Sequence, residues 1–138
     1  MIKLSSNNFS LEEWATNEYN MIYPCKEKEL LIEGLETYKE EVANRYNVPI
    51  SDVVVIITDG DRIGEGKGYH YEGKASDIFT KVNGEPLTSV EQMTIIEKLN
   101  LFTGRGLYPY DNGFIHVDVR RGLYPSANGE RISRWYRD

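Results

Sequence analysis

The sequence has very little cysteine and no long apolar run. Cys25 is the only thiol in a chain of 138 residues, so it cannot form an internal disulfide, and no second cysteine is available for a thiolate zinc site. No stretch of about 18 consecutive apolar residues occurs, which argues against a membrane span. The N-terminal MIKLSSNNFS lacks the apolar core and the cleavage site of a signal peptide, so we expect synthesis in the cytoplasm without a leader.

The chain also lacks a basic stripe. Its net charge is −6, with acidic and basic residues interspersed, so nothing in the sequence indicates a nucleic-acid partner. Hydrophobic residues make up 40% and charged residues 28%, which is typical of a globular protein with a packed core. The length suits one domain, and no repeat or linker divides it, so we predict a single domain over residues 1–138.

Two helices are predicted from capping and periodicity, besides a short helix opened by the capping box Ser10 to Glu13. Thr88 and Glu91 form another capping box, and we expect the helix that follows it to end near Gly104. Over residues 27–46, apolar side chains recur at three- or four-residue steps and form one stripe, which Asn47 and Pro49 terminate. The residues of this stripe are Leu31, Leu35, Tyr38, Val42 and Tyr46.

Four segments are typical of strands. The β-branched run VVVIIT, residues 53–58, predicts a buried central strand. Residues 77–82 predict a second strand, followed by the turn signal Asn83-Gly84, and residues 114–119 and 132–136 predict two more. The order of elements predicts an α+β fold, with a small antiparallel or mixed sheet and helices packed on one side.

The sequence contains only two histidines, and each has an aspartate close by. His70 precedes Asp77, and His116 precedes Asp118 by two positions on a predicted strand, so those two side chains point to the same face. A catalytic zinc ion is typically held by three side chains from His, Asp or Glu, with a fourth position open to water. Two histidines and one carboxylate match that count.

A family resemblance makes this pattern more specific. HYEGKASD, residues 70–77, resembles the H-x-x-G-x-A-x-D motif of the zinc D-Ala-D-Ala carboxypeptidases and the L-alanyl-D-glutamate endopeptidases, and also the matching stretch of the Hedgehog signalling domain. FIHVDVR, residues 114–120, is similar to the strand that carries the third zinc ligand of this family. The resemblance implies a Hedgehog/DD-peptidase-like fold with one Zn²⁺ ion held by His70, Asp77 and His116.

The same resemblance implies a function. Family members hydrolyse peptide bonds in the stem peptides of peptidoglycan, so this chain is expected to be a zinc metallopeptidase of carboxypeptidase or endopeptidase type. TDGDR, residues 58–62, occupies the place of the family's substrate-binding turn, and Arg62 matches its arginine. FSLEEWA, residues 9–15, and RWY, residues 134–136, also resemble small members of the family, many of them phage-encoded, so we expect the chain to act at the cell wall by a lysis or virion-associated route.

Three carboxylates are candidates for the general base. Many family members have an Asp or Glu three residues before the third ligand, where this chain has Gly113. We favour Asp118, because it shares a strand face with His116, then Asp111, then Glu72.

Substrate contacts are predicted for an arginine and for tyrosines. Arg62 could bind a substrate carboxylate or a developing oxyanion, and an ion pair with Asp59 or Asp61 is an equally good role for it. Tyr69 and Tyr108 could line a substrate groove, as could Tyr110.

Three alternatives remain. The domain could hold zinc as a catalytically inactive interaction module, or serve as a structural phage component in which the metal contributes only to stability. The acidic loop with Asp59, Asp61 and Glu65 could instead bind calcium through hard oxygen ligands, although its spacing does not match an EF-hand loop.

Overall fold

The computed structural model describes residues 26–59, 74–108, 113–125 and 131–136. In the described residues the fold is α+β, with two α-helices and a mixed sheet of six strands, which confirms the predicted class. The helices are α1 (Lys26–Tyr46) and α2 (Ser89–Leu99), and a 3-10 helix (Ile50–Asp52) precedes the sheet. The strands are β1 (Val53–Asp59), β2 (Ala75–Val82), β3 (Glu85–Pro86), β4 (Gly104–Leu107), β5 (Ile115–Asp118) and β6 (Ser133–Tyr136).

The sheet has the strand order β1-β2-β5-β4-β6, and β3 pairs with β2. All pairs are antiparallel except β4 with β6, which is parallel. β2 and β3 form a hairpin through Asn83 and Gly84, which both have positive φ, as the Asn-Gly signal predicts. This order brings β2 and β5 together, and these two strands carry Asp77 and His116.

Both helices pack on one face of the sheet. The Thr80 hydroxyl on β2 lies 2.8 Å from the hydroxyl of Tyr38 on α1 and donates to Gln92 Oε1 on α2 at 3.0 Å, so the two helices meet over the same strand. The predicted stripe of α1 is buried there at Leu31, Leu35, Tyr38 and Val42. Burying an aliphatic side chain of this size contributes about 1.5–3 kcal/mol, so the sheet face under the helices forms the stabilising core. The helices leave the opposite face of the sheet uncovered.

The N-terminal end of α2 is capped as the sequence predicts. Thr88 and Glu91 form a reciprocal capping box, and Glu91 N–H donates to the Thr88 hydroxyl at 3.0 Å. The predicted C-terminal end near Gly104 is wrong. The helix stops at Asn100, whose left-handed backbone directs its N–H to the carbonyls of Ile96 and Glu97, and Gly104 instead begins β4.

β1 is a strand, but the prediction that it lies at the buried centre is wrong. In the described sheet it is an edge strand that pairs only with β2. Val53, Val55 and Ile57 face the core, whereas Val54 and Ile56 remain 47% and 38% exposed on the opposite face. The continuous apolar run therefore has the one-sided burial of an edge strand rather than burial on both faces.

The remaining predicted strands are found with small shifts at their ends, and β3 and β4 have no counterpart in the prediction. Neither described helix combines the length and the apolar character that crossing a bilayer requires. The predicted helix from Ser10 and the cysteine at position 25 lie outside the described residues.

Candidate functional site

Strand pairing brings the predicted site residues of β2 and β5 together. Asp77 lies directly opposite His116, and Asp118 lies opposite Ala75. Ile78, Ile115 and Val117, which alternate with them, are buried in the core under the helices. Because successive side chains of a strand point to opposite faces, Asp77, His116 and Asp118 project from the face of the sheet that the helices do not cover.

His116 lies between two carboxylates, one at each ring nitrogen. Its Nδ1 is 3.1 Å from Asp77 Oδ1, and its Nε2 is 2.7 Å from Asp118 Oδ2. The three side chains differ in burial: Asp77 is 16% exposed, His116 is 10% exposed, and Asp118 is fully buried. The two edges of the imidazole therefore face different surroundings, with the less buried carboxylate at Nδ1.

The two carboxylates favour the protonated, positively charged form of the His116 ring. Burial alone would lower the pKa of His116, but the hydrogen bonds and negative charges of Asp118 and Asp77 outweigh it and raise the pKa. Burial alone would raise the pKa of Asp118, and here the hydrogen bonds from His116 and Arg120 outweigh it and lower the pKa. Asp118 is thus held as a buried carboxylate with cationic or donor partners on both sides.

Arg120 completes the surroundings of Asp118. Its Nε donates to Asp118 Oδ1 at 2.9 Å and its Nη2 donates to Oδ2 at 2.7 Å, which is a bidentate arginine–carboxylate pair. The backbone N–H of Arg120 also donates to Oδ1 at 3.1 Å. This set of donors fixes the Asp118 carboxylate, and the carboxylate in turn fixes the orientation of the His116 ring.

Aromatic rings border the site on the side of β4 and β6. The indole of Trp135 lies 4.9 Å from the His116 ring, centroid to centroid, and its N–H donates to the Tyr108 hydroxyl at 2.6 Å. Tyr108 in turn stacks on Phe114 with 5.0 Å between the centroids. Ser89 Oγ, in the first turn of α2, lies within 3.2 Å of the carbonyl oxygens of Tyr108 and Phe114, so the helix ties the two strand ends together.

Two glycines of β4 give the buried side chains room. Gly104 lies opposite Asp118 and Gly106 lies opposite His116. A Cβ at position 104 would overlap the Asp118 carboxylate, and a Cβ at position 106 would come within 2.5 Å of the Trp135 indole. The alternating glycines of TGRGL therefore form a shallow trough in the sheet.

Asp77 Oδ1 and His116 Nδ1 are atoms of the kinds that bind zinc. They lie 3.1 Å apart, which is a hydrogen-bond distance, whereas two ligand atoms about 2.1 Å from a tetrahedral zinc ion lie about 3.4 Å apart, so a small separation would let both bind one ion. Ligating histidines usually donate their other ring N–H to a carboxylate, which is the arrangement of His116 Nε2 and Asp118. Within the ranges that the structure describes, no three His, Cys, Asp or Glu side chains form a group able to hold a metal.

Some predicted site residues lie outside the described residues. The sequence places most of them between β1 and β2, in residues 60–73, which connect the end of β1 to the start of the strand that carries Asp77. The backbone of Asp59 pairs with Asp77 at this end of the sheet. The predicted residues outside the described part are Arg62, Tyr69, His70, Asp111, Tyr110, Glu72, Asp61 and Glu65.

Sequence reasoning missed four residues of the site. Arg120 continues the alternation of His116 and Asp118 along one strand face, so the spacing could have indicated it. Gly104 and Gly106 could have been noticed as glycines at alternate positions of a short strand. Trp135 carried no local signal, because its contact with His116 depends on the strand order.

No protein-family model, no curated protein and no solved structure matches this chain.

Proposed function

We propose that this chain is a zinc-dependent peptidase in which His70, Asp77 and His116 hold one metal ion. The observation that carries the proposal is the two-sided environment of His116, with Asp77 at Nδ1 and a buried, arginine-paired carboxylate at Nε2. The third ligand, His70, rests on the motif of residues 70–77, which begins with His70 and ends with Asp77.

Asp118 is the positioning residue of this site. By accepting the Nε2–H of His116 it keeps that proton in place when Nδ1 gives up its own proton to bind the metal, and it restrains the ring so that Nδ1 faces Asp77. This geometry disfavours the general-base role that the sequence favoured for Asp118, since its carboxylate lies at the ring edge opposite Asp77 and is paired with Arg120. Asp111 then becomes the first candidate for the base, and Glu72 the second.

The chemistry follows from these roles. When bound, zinc would polarise a peptide carbonyl and lower the pKa of a water molecule to about 7. Asp111 would accept the proton of the attacking water and return it to the leaving amine. Arg62 would bind a substrate carboxylate, and Tyr108, with its ring stacked on Phe114, would border the substrate beside His116.

The substrate and the fold family are proposals from the motifs. HYEGKASD and FIHVDVR resemble the zinc-ligand segments of peptidases that cut peptidoglycan stem peptides, so we propose these peptides as the substrate and the cell wall as the place of action. The fold we propose is that of the Hedgehog domain and the DD-peptidases. A mixed sheet with both helices on one face and the candidate ligands on the other supports it.

A second candidate is a zinc-binding module or structural phage component without hydrolytic activity. The pairing of Asp118 with Arg120 and His116 favours this alternative, because it occupies the carboxylate best placed by sequence to serve as the base. Metal binding without turnover would identify it.

The test is digestion of purified peptidoglycan by the metal-stripped protein, with and without one equivalent of zinc, followed by mass analysis of the products. Asp77→Asn removes a proposed ligand with little change of shape, and Asp52→Asn, at an exposed aspartate before β1, is the matched control. We expect zinc to restore peptide release in the wild-type protein and in the control, and not in Asp77→Asn. Equal release by Asp77→Asn, or release that needs no metal, would refute the proposal.

A further inference from the structure

Trp135 reaches His116 across an intervening strand. In the sheet, Trp135 of β6 pairs with Gly106 of β4, and Gly106 pairs with His116 of β5, so the three residues form one row. Neighbouring strands lie about 4.8 Å apart, so side chains two strands apart are normally separated by the residue between them. The indole contacts the imidazole here because Gly106 has no side chain.

The indole of Trp135 fills the space above Gly106. A Cβ on Gly106 would lie within 2.5 Å of the indole, and the ring extends over the trough until its centroid is 4.9 Å from that of His116. Its N–H donates to the Tyr108 hydroxyl at 2.6 Å, which anchors the ring along β4. The position of the indole is therefore determined by contacts at several points of its edge.

The same ring also contacts Arg120. The guanidinium carbon of Arg120 lies 5.0 Å from the Trp135 ring, within the range of a cation–π interaction. Arg120 holds Asp118 through two side-chain hydrogen bonds, and Asp118 holds His116 Nε2. One indole thus packs against both ends of the Arg120–Asp118–His116 chain of hydrogen bonds, in which the bond between His116 and Asp118 is buried.

We propose that Trp135 is a positioning residue that orients the His116 imidazole for its ligand, directly through ring contact and indirectly through Arg120 and Asp118. The proposal deepens the proposed function and rests on His116 being a metal ligand. Substitutions around a ligating histidine typically weaken metal binding by roughly 10- to 100-fold, which sets the expected effect. A tryptophan that only fills the trough would change stability and leave the metal affinity unchanged.

The first measurement is the zinc dissociation constant of the metal-stripped protein, obtained against a competing chelator. Trp135→Leu removes the ring, Trp135→Phe keeps a ring without the N–H donor, and Tyr124→Leu, at a half-exposed aromatic residue outside the site, is the control. We expect Trp135→Leu to raise the dissociation constant roughly 10- to 100-fold, Trp135→Phe to raise it less, and the control to leave it unchanged. Thermal unfolding of the metal-free proteins separates this effect from stability, and a lower Tm with an unchanged dissociation constant would overturn the proposal.

The second measurement needs no metal, so it separates this proposal from the proposed function. The Nε2 proton of His116, shielded by Asp118 and the indole, should give a slowly exchanging imidazole resonance in the proton spectrum of the metal-free wild type and of Trp135→Phe. We expect Trp135→Leu to lose this resonance to fast exchange. If the wild type binds no zinc, the proposed function fails, and an unchanged resonance in Trp135→Leu would overturn the positioning role whatever the metal result.

Discussion

Replacing Asp118 by asparagine separates a positioning role from a general-base role. Asparagine keeps the shape of the side chain but removes the negative charge to which His116 Nε2 lies at 2.7 Å and Arg120 Nη2 at 2.7 Å. We expect zinc affinity to fall roughly 10- to 100-fold, because the carboxylate no longer fixes the tautomer and direction of the ligating ring. At about 1.4 kcal/mol for each factor of ten, this is a loss of roughly 1.4–2.8 kcal/mol of binding free energy.

The metal-free protein should also become less stable. Asp118 is fully buried, and a hydrogen bond to a charged group contributes about 1.5–3 kcal/mol against about 0.5–1.5 for a neutral one. Because Arg120 would keep only a neutral acceptor, we expect Asp118→Asn to lower the free energy of unfolding by about 2–3 kcal/mol. Denaturant unfolding of the metal-free protein measures this term separately from zinc binding.

The first assay is a competitive zinc titration of the metal-stripped wild type and Asp118→Asn, with Asp52→Asn as the control. The second is the rate of peptidoglycan hydrolysis by the same proteins at saturating zinc. A positioning residue predicts weaker binding, with much of the turnover regained once zinc saturates the site. An unchanged dissociation constant with turnover lost at full occupancy would refute our reasoning, and it would return the general-base role to Asp118.

Three further predictions test the framework around the site. Gly106→Ala should force the Trp135 indole out of the trough, destabilise the protein by about 1–3 kcal/mol and weaken zinc binding in the same titration, whereas unchanged values would show that the sheet accommodates the methyl group. Arg105→Met should lower the free energy of unfolding by about 1–3 kcal/mol with no effect on zinc affinity, because the Phe102 carbonyl loses its donor on the helix side of the sheet, while Glu97 keeps its pair with Arg134. The pKa of Glu97 is lowered, chiefly by its hydrogen bonds from Arg134. The ionised Glu97 carboxylate therefore stabilises the folded protein at pH values above its ordinary pKa of 4.5, and this stabilisation is lost as the pH falls below that value. In Glu97→Gln, Tm should therefore fall less steeply with decreasing pH than in the wild type. An unchanged dependence of Tm on pH would show that the ion pairs of Glu97 with Arg105 and Arg134 contribute nothing measurable.

Much of the fold could be predicted from local signals. The stripe of α1, the Thr88 capping box and the Asn83-Gly84 turn each act within a few residues, so the sequence determines them directly. The alternation in FIHVDVR likewise predicts that His116 and Asp118 share a strand face, and the structure confirms this.

The errors have physical causes. The run VVVIIT has no alternation of apolar and polar residues, so it predicts burial on both faces of the sheet, whereas Val54 and Ile56 are exposed on one face of an edge strand. β4 was missed because Gly104 and Gly106 have low strand propensity, and pairing with β5 and β6 stabilises the strand instead.

The candidate site was predictable only in part. Strand parity places Asp118 beside His116, but it cannot say which ring nitrogen the carboxylate contacts, and that contact distinguishes a base from a positioning residue. The row of Trp135, Gly106 and His116 joins three strands that are not consecutive in the chain, so no local spacing could indicate it.

The most direct test of the account is diffraction at the zinc absorption edge from crystals of the wild-type protein grown with one equivalent of zinc. We predict an anomalous peak within bonding distance of Asp77 Oδ1 and His116 Nδ1, with His70 as the third protein ligand. Asp118 should keep its hydrogen bond to His116 Nε2. A peak at the Nε2 edge beside Asp118, or no peak on this face of the sheet, would contradict it.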